Sequence, residues 1–89
     1  MFHVDWHQAA LDELTNLWTN ADSAVRKATT AASHQIDKGL QIDPANEGES
    51  RPGGRRIQFF PPLAVIFEVD EANQTATVLH VRLYGRRKK

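Results

Sequence analysis

The amino-acid sequence predicts an α+β domain, a helical hairpin packed on a mostly antiparallel four-stranded sheet in the order β-α-α-β-β-β. A short alternating stretch opens the chain, two stretches of three- and four-residue periodicity follow, and three β-rich stretches divided by proline, glycine and polar residues fill the second half. Period 2 fits a strand with one buried face and period 3.6 an amphipathic helix, so the order of periods gives the order of elements. Two consecutive helices can cover one face of such a sheet and leave the other open.

Phe2, Val4 and Trp6 alternate with His3, Asp5 and His7, as in a half-buried strand running into a helix. From about His7 to Asn20, Ala10, Leu11, Leu14, Leu17 and Trp18 make one apolar helical face. Asn20, Asp22 and Ser23 offer N-caps to a second helix carrying Val25, Ala28, Ala32, Ile36 and Leu40, with Gly39 as its expected terminator. The stretch Asp43 to Gly54 collects Pro44, Gly48, Pro52, Gly53 and Gly54 and reads as the main loop. Strands are expected at Arg55–Phe60, at the apolar and β-branched Leu63–Val69, and at Thr75–Tyr84, with a hairpin loop over Asp70–Gln74. Strict alternation turns Ile57, Phe59, Leu79, Val81 and Leu83 towards the helices. In the expected core Ile57, Phe59, Leu79 and Val81 meet Leu11, Leu14, Val25 and Ile36. The open face then carries Arg56, Gln58, Ala64, Ile66, Glu68, His80, Arg82 and Tyr84.

With 89 residues the chain has room for one core, and 40% hydrophobic with 25% charged residues exclude a disordered or collagen-like chain. The expected organisation is one domain over residues 1–85 and a basic tail over residues 86–89. No cysteine is present, which excludes disulfides, thiolate metal sites and a cysteine nucleophile. No apolar run approaches the roughly 20 residues that span a bilayer, and no signal-peptide pattern opens the chain, so a cytoplasmic location is expected with no membrane partner. The formal net charge of zero conceals a division. Residues 1–50 hold three basic residues against eight acidic ones, and residues 51–89 hold eight against three. A basic surface from the second half would attract nucleic acid or an acidic protein segment, although Arg86, Arg87, Lys88 and Lys89 would equally serve as a solvated tail.

Four segments together resemble the RelE/ParE superfamily of toxins from type II toxin–antitoxin systems. VDWHQAALDEL is similar to that family's opening strand and first helix, and LQIDPANEGES to the end of its second helix and the loop beyond. PPLAVIFEV resembles its central strand, and TVLHVRLYGRR its last strand with trailing arginines. The resemblance implies a toxin neutralised by a cognate antitoxin that supplies an acidic segment. RelE-like members act on the ribosome as metal-independent mRNA endoribonucleases, and ParE-like members inhibit DNA gyrase by binding. Ribosome-dependent mRNA cleavage is the leading expectation. Gyrase inhibition, or a non-catalytic member that binds only an antitoxin, is the alternative.

Cleavage by a 2′-hydroxyl needs a proton acceptor, cations for the phosphorane and a proton donor. Arg56, Arg82, Tyr84 and His80 are the candidate catalytic residues, and Arg51, Arg55, Arg86 and Arg87 the candidate RNA contacts. Arg56 matches a basic position of RelE-like toxins, but a surface ion pair would account for it as well. His80 is of the residue type that serves acid–base work, yet half-exposed strand histidines are common. Tyr84 could stack on a base or anchor a strand end. Gln58 and Ala64 stand where RelE-like enzymes often have lysine and arginine, which weakens the catalytic set. Glu47 and Glu49 flank Gly48 in a loop and read as solvated carboxylates, and Trp6 and Trp18 as core anchors. His3, Asp5 and His7 have the residue types of a metal centre without further ligands at zinc-site spacing, so no metal or cofactor is expected.

Overall fold

The structure is a computed structural model that describes residues 1–83. Its elements are β1 (His3–Trp6), α1 (Gln8–Thr19), α2 (Ser23–Ile42), a 3-10 turn (Pro44–Asn46), β2 (Glu49–Arg51), β3 (Arg55–Phe60), β4 (Leu63–Asp70) and β5 (Thr75–Leu83). The sheet order is β1-β5-β4-β3-β2, with β1 parallel to β5 and every other pair antiparallel. The helical hairpin on one face is as expected. The fifth strand is not: Glu49–Arg51 lies inside the expected loop, and its three exposed polar residues have no apolar alternation, so only pairing with β3 makes them a strand.

His7 caps α1, its ring Nδ1 accepting the Ala9 N–H at 3.3 Å, and the Asp22 carboxylate caps α2 by accepting the Val25 N–H at 2.9 Å. Such caps satisfy N–H groups that the first helical turn leaves without partners. Gly39 does not end α2. It sits inside the last turns, where an added Cβ would come within 3.2 Å of the Phe60 ring, so glycine there permits close helix–strand packing. Gly48 has a different role, with φ at +66° and the Ile57 carbonyl oxygen 1.9 Å from where a Cβ would stand, so the turn into β2 accepts no side chain.

The buried core joins Ala10 of α1 and Ala32, Ile36 and Leu40 of α2 to Leu63, Val65 and Phe67 of β4 and Ala76, Val78 and Val81 of β5. Val4, Trp6, Leu14, Leu17, Phe60 and Val69 pack around it. This corrects the expected pairing of faces. Ile36 and Val81 are buried and Leu14 is partly so, but Leu11 and Phe59 are 41% and 44% exposed, and Ile57 and Leu79 lie outside the core. Two physical causes account for it. In β5 the partners run Ile66↔His80 and then Phe67↔Val78, so Leu79 is an extra residue that shifts the alternation. In β3, Phe60 pairs with buried Leu63 and Arg56 with buried Phe67, which puts Arg56, Gln58 and Phe60 on the helix side and Arg55, Ile57 and Phe59 on the open side.

Trp18 is likewise no core anchor. Its indole is 44% exposed, with the Arg26 guanidinium 4.4 Å from the ring centroid. Arg26 also donates to the Trp18 and Thr19 carbonyl oxygens at 2.9 and 3.1 Å, closing the C-terminal end of α1 against α2. Among the described residues no helix is long and apolar enough to cross a membrane.

The reversed parity of β3 makes a direct prediction for stability. Phe67→Ala should cost about 3–5 kcal/mol, the range for emptying a buried aromatic site. Phe59→Ala should cost less than half as much in the same urea titration. Equal losses would restore the expected parity.

Candidate functional site

On the open face, side chains from neighbouring strands form rows across the sheet. Arg51, Arg55, Glu68, Thr77 and Asp5 make one row, and Glu49, Ile57, Ile66 and His80 the next. Phe59, Ala64 and Arg82 follow. Strands about 4.8 Å apart bring each row into contact. The outcome is an apolar strip of Ile57, Phe59, Ala64 and Ile66 bordered by arginine on both sides.

Most of the charged groups have partners. Arg55 lies 3.7 Å from the Glu68 carboxylate and Arg51 3.3 Å from that of Glu49. These pairs are about half exposed, where an ion pair contributes little to stability. At the other margin Glu13 of α1 reaches the edge of β5, where β1 has already ended. Its carboxylate accepts the Val81 N–H at 2.9 Å, pairs with Arg82, and lies 3.4 Å from Nδ1 of His80. Burial works to raise the Glu13 carboxyl, but the Val81 N–H, the Arg82 guanidinium and the His80 ring outweigh it and hold it below its ordinary value. Glu13 had no signal in the sequence beyond its place on the polar side of an amphipathic helix.

The candidate residues are therefore divided. His80 and Arg82 meet on the open face through Glu13, and Arg51 and Arg55 lie on that face at the far margin. Arg56, expected there too, is on the opposite side. Its Nε and a terminal nitrogen donate to the Glu47 and Gly48 carbonyl oxygens at 2.8 and 3.0 Å, and the neighbouring Gln58 donates to the Glu47 carboxylate at 3.0 Å. These contacts anchor the loop into β2. Ala64 pairs with Phe59 and Arg82 rather than lying beside Arg56, so an arginine at position 64 would join the Arg82 side. Tyr84, Arg86 and Arg87 lie outside the described residues. His3 and Asp5 share the open face of β1, whereas His7 has turned away as the helix cap. Among the described residues no three or more His, Asp or Glu side chains gather as metal ligands.

Glu13 generates the second prediction. Glu13→Ala should destabilise the fold by about 1–2 kcal/mol, as expected for removing an acceptor from a part-buried N–H and an ion pair. The sign with pH follows from the lowered carboxyl. Its contribution is complete above the unfolded carboxyl range near 4.5 and disappears as pH falls through the lower folded value. Acid unfolding of Glu13→Gln should thus be less steep than that of the wild type. A variant with the wild-type acid dependence would leave Glu13 without that role.

No protein-family model matches the sequence, and no curated protein is significantly similar to it. Solved structures do match. A chain of the chromosomal ParDE toxin–antitoxin system of P. aeruginosa superposes with a TM-score of 0.76 at 17% identity, over 96% of this chain and 98% of that one. A chain of the RelBE2 toxin–antitoxin complex of Mycobacterium tuberculosis gives 0.70 at 16% identity, over 92% and 96%. The isolated E. coli RelE toxin gives 0.62 at 17% identity, over 99% and 89%. At such identities the likeness is one of fold, and the fold of this chain is that of the RelE/ParE toxins.

Proposed function

We propose that the chain is the toxin of a toxin–antitoxin pair and acts by binding a protein target, as the ParE-like resemblance implies for DNA gyrase, rather than by cutting RNA. The observation that carries this choice is the separation of Arg56 from Arg82 by the thickness of the sheet. Phosphoryl chemistry needs its cations converging within hydrogen-bond reach of one phosphate, and two arginines on opposite faces do not converge. The apolar strip Ile57–Phe59–Ala64–Ile66, bordered by Arg55 and Arg82, instead suits a protein segment with apolar and acidic residues. That surface is the proposed site of an acidic antitoxin segment.

A second reading, ribosome-dependent mRNA cleavage, is favoured by one specific arrangement, the His80–Glu13–Arg82 cluster. There His80 would move the proton and Arg82 would stabilise the phosphorane. Arg51 and Arg55 would hold RNA phosphates, and Tyr84, Arg86 and Arg87 are further candidates outside the described residues.

One preparation assayed for gyrase supercoiling and for cleavage of ribosome-bound mRNA separates the two. Binding predicts inhibited supercoiling, no cleavage, and relief of inhibition by Arg82→Glu. Cleavage by the wild type that drops about 100-fold or more in His80→Ala or Arg82→Ala would establish the nuclease instead.

A further inference from the structure

A strand edge without a neighbour turns backbone N–H groups outwards, each a fixed donor in need of an acceptor. β1 pairs with β5 only from Thr75 to Val78, so Val81 has no strand to receive its N–H on that edge. The Glu13 carboxylate receives it instead, Oε1 accepting at 2.9 Å. His80 and Arg82, which flank Val81 in the chain, converge on the other oxygen, Oε2, the Arg82 guanidinium in a direct ion pair and Nδ1 of His80 at 3.4 Å. Three consecutive residues of one strand thus hold one oxyanion. Burial disfavours the charged form of Glu13, yet these donors outweigh it and keep the carboxyl below its ordinary value.

The carboxylate matches this donor set incompletely. It has two oxygens for three donors, so Oε2 is shared, and the His80 contact is long beside the about 2.7–2.9 Å usual for a bond to a charged oxygen. The Glu13 side chain is 24% exposed, and those of His80 and Arg82 are 42% and 67% exposed. Solvent therefore reaches the anion position without any opening of the core, and rotation about the Glu13 side-chain bonds vacates it. The positions one turn from Glu13 on α1 are Ala9, Ala10, Asn16 and Leu17, and the β4 residues paired with Arg82 and His80 are Ala64 and Ile66. None of these neighbours would repel an incoming anion.

We propose that His80, Val81 and Arg82 form a binding site for a phosphate monoester, which Glu13 fills as an internal substitute until the ligand displaces it. The terminal phosphate of a monoester carries three free oxygens and about −1.5 to −2 charge at neutral pH. That is one oxygen for each donor and more charge than a single carboxylate supplies. A phosphodiester has two free oxygens and one charge, as Glu13 already provides, and gains nothing by replacing it. The preference for a monoester separates this site from the RNA-cleavage reading, in which an internal phosphodiester is held, and from the protein-binding reading, which uses the apolar strip. Against the ligand stands the intramolecular carboxylate, which lowers the apparent affinity in proportion to the time it occupies the site. Glu13 thus acts as a gate that yields to an anion richer in oxygens and charge than itself.

The test titrates the full chain, isotope-labelled for NMR, at constant ionic strength with methyl phosphate, dimethyl phosphate and acetate. Methyl phosphate should shift the Val81 amide and the His80 ring, and should bind at least about 10-fold more tightly than the other two, the order of change that one charged hydrogen bond makes. Glu13→Ala should raise its affinity by about 10-fold or more by removing the internal competitor, and Glu13→Gln, which keeps the side-chain volume, should raise it as well. Arg82→Gln should lower it by about 10-fold or more. An RNA trinucleotide with a 5′-phosphate, set beside its 5′-hydroxyl counterpart, identifies the source of the ligand. Tighter binding than methyl phosphate marks the end of a nucleic acid, and binding no tighter marks a free monoester. The proposal is overturned if dimethyl phosphate or acetate binds as tightly as methyl phosphate, or if the 5′-hydroxyl trinucleotide binds as tightly as the phosphorylated one. It is also overturned if both Glu13 variants bind methyl phosphate no better than the wild type, or if the Val81 and His80 signals do not move.

Discussion

Val78 and Val81 both face the helices although they are three residues apart, because Leu79 is left out of the ladder between β4 and β5. Everything on the sheet depends on that extra residue. Without it Val81 would turn outwards and His80 inwards, exchanging a buried aliphatic side chain for an imidazole under the hairpin. Burial of one such aliphatic group contributes about 1.5–3 kcal/mol, and an imidazole there would need a buried partner as well. With the bulge, β4 and β5 supply six of the ten buried core residues among those described, and His80 and Arg82 come to the margin where α1 can reach them.

Glu13 makes use of this margin. β1 covers β5 only as far as Val78, and beyond it the strand edge presents its N–H groups outwards. A bare edge invites pairing with another chain. Here α1 runs along it, and one carboxylate accepts the Val81 N–H while balancing Arg82 and His80. The helix is thereby fixed against the sheet by a polar contact at the rim as well as by Ala10, Leu14 and Leu17 in the core. Cations that would be available to a phosphate in isolation are held by a carboxylate of the fold itself, which a ligand would have to displace or share.

The order of elements was legible in the sequence because each apolar period is carried by several residues, as with Ala32, Ile36 and Leu40 on α2 or Leu63, Val65 and Phe67 on β4. Single-residue shifts were not legible. Arg55–Phe60 alternates equally well with Ile57 and Phe59 inwards or with Phe60 inwards, and the deciding contact, Phe60 over Gly39, joins positions 21 residues apart. Gly39 misled for the same reason, since a glycine that admits an aromatic ring and one that ends a helix look alike in sequence. The short β2 escaped because its stabilisation comes from pairing with β3 and from the contacts of Arg56 to the Glu47 and Gly48 carbonyls. Of the candidate site, the residue types were readable and their grouping was not, because grouping depends on strand parity.

Parity also redistributes the charge that the sequence divides into halves. Arg56 leaves the open face and becomes a structural link to the loop, whereas Arg51, Arg55 and Arg82 remain at the margins, the first two beside Glu49 and Glu68 and the last beside Glu13. The basic second half therefore gives a sheet face whose cations are largely matched. The acidic first half spends its carboxylates on caps and bridges, Asp22 on α2, Asp37 on Trp6 and Glu13 on β5, and leaves the lysines of α2 without acidic neighbours on their own ridge. Local charge on this molecule thus follows from which carboxylates the fold engages rather than from the count in either half. Within the half that looks acidic in sequence, the Lys27–Lys38 ridge of α2 carries its lysines with no carboxylate on the same ridge.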